Sequence, residues 1–243
     1  MAPTAAAVER LTTRLRFSSG HLLVAVFDSH ADERFDPLVR ARGSACCFAF
    51  YKRWLRGETV AFERDGGDFL SPTGGCPGAH RHLGLAATPP SLAGFLAHEG
   101  LKASVELAQR CVDRFTSPEP AAGAVLVGPL RLEQWEAIRS VSFVVDPDRL
   151  SALMTLATYW DDDPDPIRAP FSSGCGMLWG ELESGARTRP VIGCTDVAMR
   201  RHLPSDLLCL TVTPAHFEKM LTFPDGCFLD RAWWNELIDS RNR

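Results

Sequence analysis

Short apolar runs alternating with helical patterns constrain this fold more than any other feature of the sequence. "HLLVAVF" (21–27), "GAVLVG" (123–128), "VSFVVD" (141–146), "RPVIGC" (189–194) and "LLCLTVT" (207–213) read as strands. Helical patterns lie around them. Residues 4–16 look helical, "ACCFAFYKRWLRG" (45–57) reads as a helix closed by Gly57, and helices are expected from about residue 91 to 115. In the second of these, Leu101, Val105, Ala108, Val112 and Phe115 share one face. Asp146 and Pro147 supply an N-cap and a first helical position for a helix that buries Leu150, Leu153, Met154 and Ala157. "AWWNELID" (232–239) closes the chain as a helix.

The alternation runs without an obvious linker or internal repeat. It predicts α/β or mixed α+β architecture in a single compact domain spanning 20–243, preceded by an N-terminal helix in 1–19. The patch "TSPEPAAG" (116–123) is the best place for a hinge and is read as a loop. "DDDPDP" (161–166) lacks the glycine and ligand register of an EF-hand and reads as a solvated loop.

Bulk properties exclude several functions. A formal charge of −4 gives no reason to expect nucleic acid as a partner, and no apolar run approaches the length needed to span a membrane. The N-terminus has arginines but no long apolar core, so a secretory signal is not expected and the default compartment is the cytoplasm. There, eight cysteines serve as thiols or metal ligands rather than as a disulfide framework.

The cysteines fall into two groups. Cys111 beside a helical stripe, Cys209 inside "LLCLTV" and Cys227 after a turn signal read as structural. Cys46 and Cys47 stand together near a helix start. Cys76 in "SPTGGCPGAHRHLGL", Cys175 in "FSSGCGMLWG" and Cys194 in "VIGCTD" each adjoin or lie near glycine at an element boundary. Bare backbone there lets N–H groups approach a sulfur or a bound group. There is no C-x-x-C and no compact ferredoxin spacing, so spacing alone does not choose a metal. Cys76 and His80, four residues apart, permit a mixed zinc site with His82 nearby, or a Cys–His nucleophile pair. Arg200 and Arg201 follow Cys194 closely, and Trp179 follows Cys175. No Walker loop, G-x-G-x-x-G after a strand or G-x-S-x-G is present.

In their order, "HLLVAVF", "ACCFAFYKRWLRGE", "GGCPGAHRHLGL", "FVVDPDRLSALMTLATYW", "SSGCG" and "VIGCTDVAMRRHLPSDLLCLTV" resemble the DUF169 family over roughly residues 20–220. The resemblance implies cysteines recurring at these four settings. Four thiolates gathered by folding would suit a [4Fe–4S] cluster held by Cys47, Cys76, Cys175 and Cys194. Cys46 is the reserve at the first position. Cys47 is preferred because Phe48, Tyr51 and Leu55 continue its side of a helix, on which adjacent side chains diverge by about 100°.

The expectation is therefore a soluble iron–sulfur protein, read as an enzyme doing redox or Lewis-acid chemistry on a small molecule, with an electron-donor protein as a further partner. A zinc- or thiol-stabilised binding module and a metal-free cysteine enzyme using Cys76 and His80 are the alternatives.

Overall fold

A computed structural model describes residues 2–28, 35, 37–41, 46–63, 100–114, 124–170, 189–197 and 199–241. The five apolar runs all become strands of one sheet: β1 (Leu22–Asp28), β4 (Ala124–Pro129), β5 (Ile138–Val145), β6 (Val191–Gly193) and β7 (Leu208–Val212). Two further strands that the sequence reading did not single out, β2 (Leu38–Arg40) and β3 (Thr59–Glu63), join the same sheet. The strand order is β2-β3-β4-β1-β5-β7-β6. Among the described strands only β2 and β3 run parallel, and every other neighbouring pair is antiparallel. The chain is a mixed α+β domain.

Strand alternation divides the buried side chains into two layers. Ala25, Phe27, Leu126, Phe143, Val145, Leu210 and Val212 join one core. Against them pack α1 (Ala5–Arg14), α4 (Pro147–Ala157), α5 (Pro214–Met220) and α6 (Ala232–Arg241), through Leu11, Leu153, Phe217 and Trp234. The N-terminal helix thus shares the domain's main core. The intervening residues Val24, Val26, Val125, Val127, Val144 and Cys209 form the second layer, with Phe48, Tyr51 and Trp54.

Local chemistry places the covering elements. Asp146 caps α4 by accepting a hydrogen bond from the Arg149 N–H at 3.0 Å, with Pro147 at the first helical position. Leu150, Leu153 and Ala157 are buried as the pattern predicts, while Met154 is half-buried. The acidic stretch after α4 is a loop in which Asp161 and Asp163 accept backbone N–H bonds and Arg189 pairs with Asp163 at 2.8 Å.

The 45–57 segment differs from its expected form. A 3-10 turn over Cys47–Phe50 leads into α2 (Tyr51–Leu55), closed by Gly57 at φ 83°. Cys46 has φ −58° and ψ 136°, so it stands outside the helix and the expected 100° divergence from Cys47 does not apply. Phe48 and Tyr51 are buried, but Leu55 is 37% exposed and does not continue that wall. In α3 (Val105–Val112), capped by Ser104, Ala108 is buried whereas Val105 is 53% exposed. Periodicity says which side chains share a face, not whether anything covers it.

Candidate functional site

The structure places the described cysteines unevenly. Cys47, Cys194 and Cys209 are all fully buried in the second layer, and half-buried Cys46 packs against that layer. They come from three separate segments: the entry to α2, the end of β6 and the interior of β7. Cys227 lies in the opposite core, and Cys111 on α3 is half-buried rather than core. Cys76, Cys175, His80, His82 and Trp179 lie outside the described residues.

Cys194 occupies an unusual backbone position. Its φ is 63°, in the left-handed region that costs a non-glycine residue about 1–2 kcal/mol. This turn ends β6 one residue after Gly193, which pairs with Cys209 across the β6–β7 ladder. The two sulfurs meet at 3.1 Å, the Cys194 thiol donating to Cys209. Burial pushes the Cys194 thiol well above its usual range, and the Cys209 sulfur adds to the rise. The Arg200 guanidinium opposes it, and Cys46 is close enough to contribute. Such a thiol ionises only when a cation compensates the lost solvation.

Arg200 also organises the loop. Its guanidinium donates to the carbonyls of Leu207, Ser205 (2.6 Å), Pro204 (3.3 Å) and Cys194 (3.4 Å). The 194–207 segment is thereby folded back on itself, with Met199, Leu203 and Leu207 buried in the cysteine layer. Arg201 is exposed. Tyr51 ties α2 to the start of β1 by donating to the Gly20 carbonyl at 2.6 Å.

Thiols are soft donors, the kind that soft metal centres take. The three buried thiols share their layer with Val24, Phe48, Trp54 and Val144 and are out of contact with water. Two buried polar atoms there, Trp54 Nε1 and Ser140 Oγ, have no hydrogen-bond partner among the described residues. Ser140 belongs to this face because it lies opposite Val26. Its neighbour along the strand, Ser142, instead bonds Thr211 at 2.7 Å. Among the described residues no three or more His, Cys, Asp or Glu side chains form a metal-holding group. Cys194 and Cys209 supply a pair.

A second polar cluster lies against the other core, and no sequence motif announces it. His21 Nδ1 accepts the Ser18 N–H at 3.0 Å, so the ring carries its proton on Nε2, facing Asp146 Oδ2 at 2.9 Å. Asp146 also receives Arg149 Nη1 at 2.5 Å, and Arg149 donates twice to the Arg16 carbonyl. Burial alone would raise the Asp146 carboxyl, but the His21 bond, the Arg149 N–H and the Arg149 charge outweigh it. They hold it well below the usual carboxylate range.

The Ser18 hydroxyl is 3.3 Å from His21 Nδ1, giving a serine–histidine–aspartate sequence of contacts. The Ser18 N–H already takes that nitrogen's lone pair, so the histidine has no base left for the hydroxyl. The cluster clamps α1, β1 and α4 together. Beside it an open groove of about 520 Å³ is lined by Thr12, Thr13, Arg16, Phe17, Ser18 and Arg149.

Cys209 is buried core, as the sequence predicts, and its contact with Cys194 is what the sequence does not announce. Its local signal is that of any small strand residue, and only the β6–β7 register brings it to Cys194. No curated protein and no solved structure matches the chain. The pattern of DUF169, described as an uncharacterised ArCR family, matches residues 11–222, which take in the α2 entry, β6 and β7 with their cysteines, and the chain belongs to that family.

Proposed function

We propose that the chain is a cysteine-ligated iron–sulfur protein whose centre lies on the α2 side of the sheet. The observation that carries this reading is that Cys47, Cys194 and Cys209, from three segments, are buried in one layer, with half-buried Cys46 packed against that layer. Cys47 and Cys194 are ligands from within that layer, and Cys76 and Cys175 complete a set of four. When bound, a [4Fe–4S] cluster would supply one-electron redox or Lewis-acid chemistry to a small-molecule substrate, with an electron-donor protein in the redox case.

The chain's own residues define the setting of that chemistry. The Arg200 guanidinium places positive charge beside Cys194 and favours its thiolate. The three buried sulfurs share their layer with Val24, Phe48, Trp54 and Val144, out of contact with water. None of the described cysteines is in a disulfide, and no described helix is long and apolar enough to cross a membrane. Unlinked thiols support a reducing compartment, and the cytoplasm is the proposed one.

Anaerobic purification followed by iron and sulfide analysis tests the proposal. A brown protein with broad absorption near about 400 nm is expected. Cys76→Ser and Cys194→Ser should lose most of the iron, whereas Cys111→Ser should retain it. Stoichiometric zinc without iron would move the centre to the zinc alternative. Absence of any metal, or equal iron in all three variants, would refute the ligand set.

A further inference from the structure

Cys209 has no place in the proposed ligand set, yet its sulfur is the one that touches Cys194. We propose that Cys194 and Cys209 are a redox-active dithiol that closes to an intramolecular disulfide when glutathione disulfide, or another small disulfide, acts as oxidant. This goes beyond the iron–sulfur reading and does not depend on it.

Geometry carries the inference. A disulfide has an S–S length of about 2.05 Å. The two sulfurs already stand 3.1 Å apart, so closure asks for a movement of only about 1 Å. The residues are also fixed in relation to each other, because Gly193 beside Cys194 pairs directly with Cys209 in the ladder. Cys194 is thus one residue beyond the partner of Cys209, at the end of the ladder, and its left-handed turn accompanies the approach of its sulfur to Cys209. The left-handed turn at Cys194 stores strain at the residue that would react, a recurrent property of functional positions.

Both sulfurs are buried, so the oxidant must reach them through local opening. The fold supplies a weak element for this. β6 has three residues and, among the described strands, pairs only with β7, while its outer side is held by two backbone hydrogen bonds to Arg168. Short edge elements open at a fraction of the cost of global unfolding. Opening of β6 would expose Cys194 while leaving Cys209 paired with Val144 of β5.

The chemistry balances. Once opening exposes Cys194 to water its thiol releases a proton, and the thiolate attacks one sulfur of glutathione disulfide, breaking its S–S bond and expelling one glutathione thiolate. That thiolate takes up the first proton. The Cys209 sulfur, having given up its own proton, then attacks the Cys194 sulfur of the mixed disulfide and expels the second glutathione. Two protein S–H bonds are exchanged for one S–S bond, and glutathione disulfide leaves as two reduced molecules carrying both electrons and both protons. Closure also withdraws Cys194 from any metal.

The full-length chain is incubated with glutathione disulfide, with and without prior chelator treatment, then alkylated and digested with trypsin. Cleavage after Arg200 and Arg201 puts Cys194 and Cys209 on different peptides, so the disulfide is what joins them. The expected product is that cross-linked peptide pair, with two of the eight thiols lost to alkylation. Cys209→Ala should abolish it and leave Cys194 as a mixed disulfide with glutathione, whereas Cys111→Ala should retain it. Mapping of the wild-type chain decides the matter even if Cys209→Ala folds poorly. Absence of the cross-link under both conditions, or Cys194 joined to Cys46 instead, would overturn the proposal. A cross-link in protein that binds no iron upholds the dithiol and refutes only the cluster.

Discussion

Replacing Asp146 with asparagine removes one negative charge and little else. Asparagine still caps α4, because its side-chain oxygen can accept the Arg149 N–H. What is lost is the counter-charge of Arg149, whose side chain is only 7% exposed, and an ionic acceptor for His21. Removing one partner of a buried ion pair costs about 3–5 kcal/mol. Arg149 keeps its bonds to the Arg16 carbonyl, and Asp146 is 20% exposed, so the low end applies and the expected loss is about 3 kcal/mol.

The effect has a pH signature. The Asp146 carboxyl is held below its unfolded value, so its contribution is fully present above about pH 4 and declines as pH falls further. Urea unfolding followed by tryptophan fluorescence measures the difference between wild type and Asp146→Asn. It should be about 3 kcal/mol at pH 7 and smaller by about 1 kcal/mol at pH 3. A variant as stable as wild type at pH 7, or a difference unchanged at pH 3, would refute the clamp.

Two further substitutions test the packing elsewhere. A Cβ at Gly128 would lie 2.6 Å from Thr59 Oγ1 and 2.9 Å from Thr59 Cα, a backbone atom that cannot rotate away. Gly128→Ala should therefore cost about 1–3 kcal/mol in chemical denaturation, and a neutral result would mean that β3 and β4 separate freely. Burial lowers the His216 pKa; the hydrogen bond to the Ala157 carbonyl and Asp161 oppose this, while Lys219 reinforces it. Its stabilising contribution is present above about pH 6.5 and lost as pH falls, so wild type should weaken between pH 8 and 5 more than His216→Gln does. Parallel pH profiles would assign the acid sensitivity to another group.

Local chemistry was legible in the sequence wherever neighbours along the chain decide the outcome. The five apolar runs became strands because Val, Leu, Ile and Phe suit a pleated surface buried on both sides. Asp146 and Pro147 start α4 because a cap needs only its own helix. The cysteines near the α2 entry and after Gly193 stood out for the same reason: their settings are visible within a few residues.

Tertiary structure decided what depends on partners distant in sequence. Antiparallel order, and the placement of β1 between β4 and β5, follow from which apolar faces can be covered together. The short strands β2 and β3 are stabilised by the sheet they join. His21 reaches Asp146, and Cys194 reaches Cys209, through strand pairing and helix packing that no local pattern encodes. The register of β6 on β7, with a left-handed turn at its end, turned an ordinary core cysteine into the contact partner of a strained one. Local propensity acts over a few residues, whereas the meeting of two side chains is set by the packing of the whole sheet.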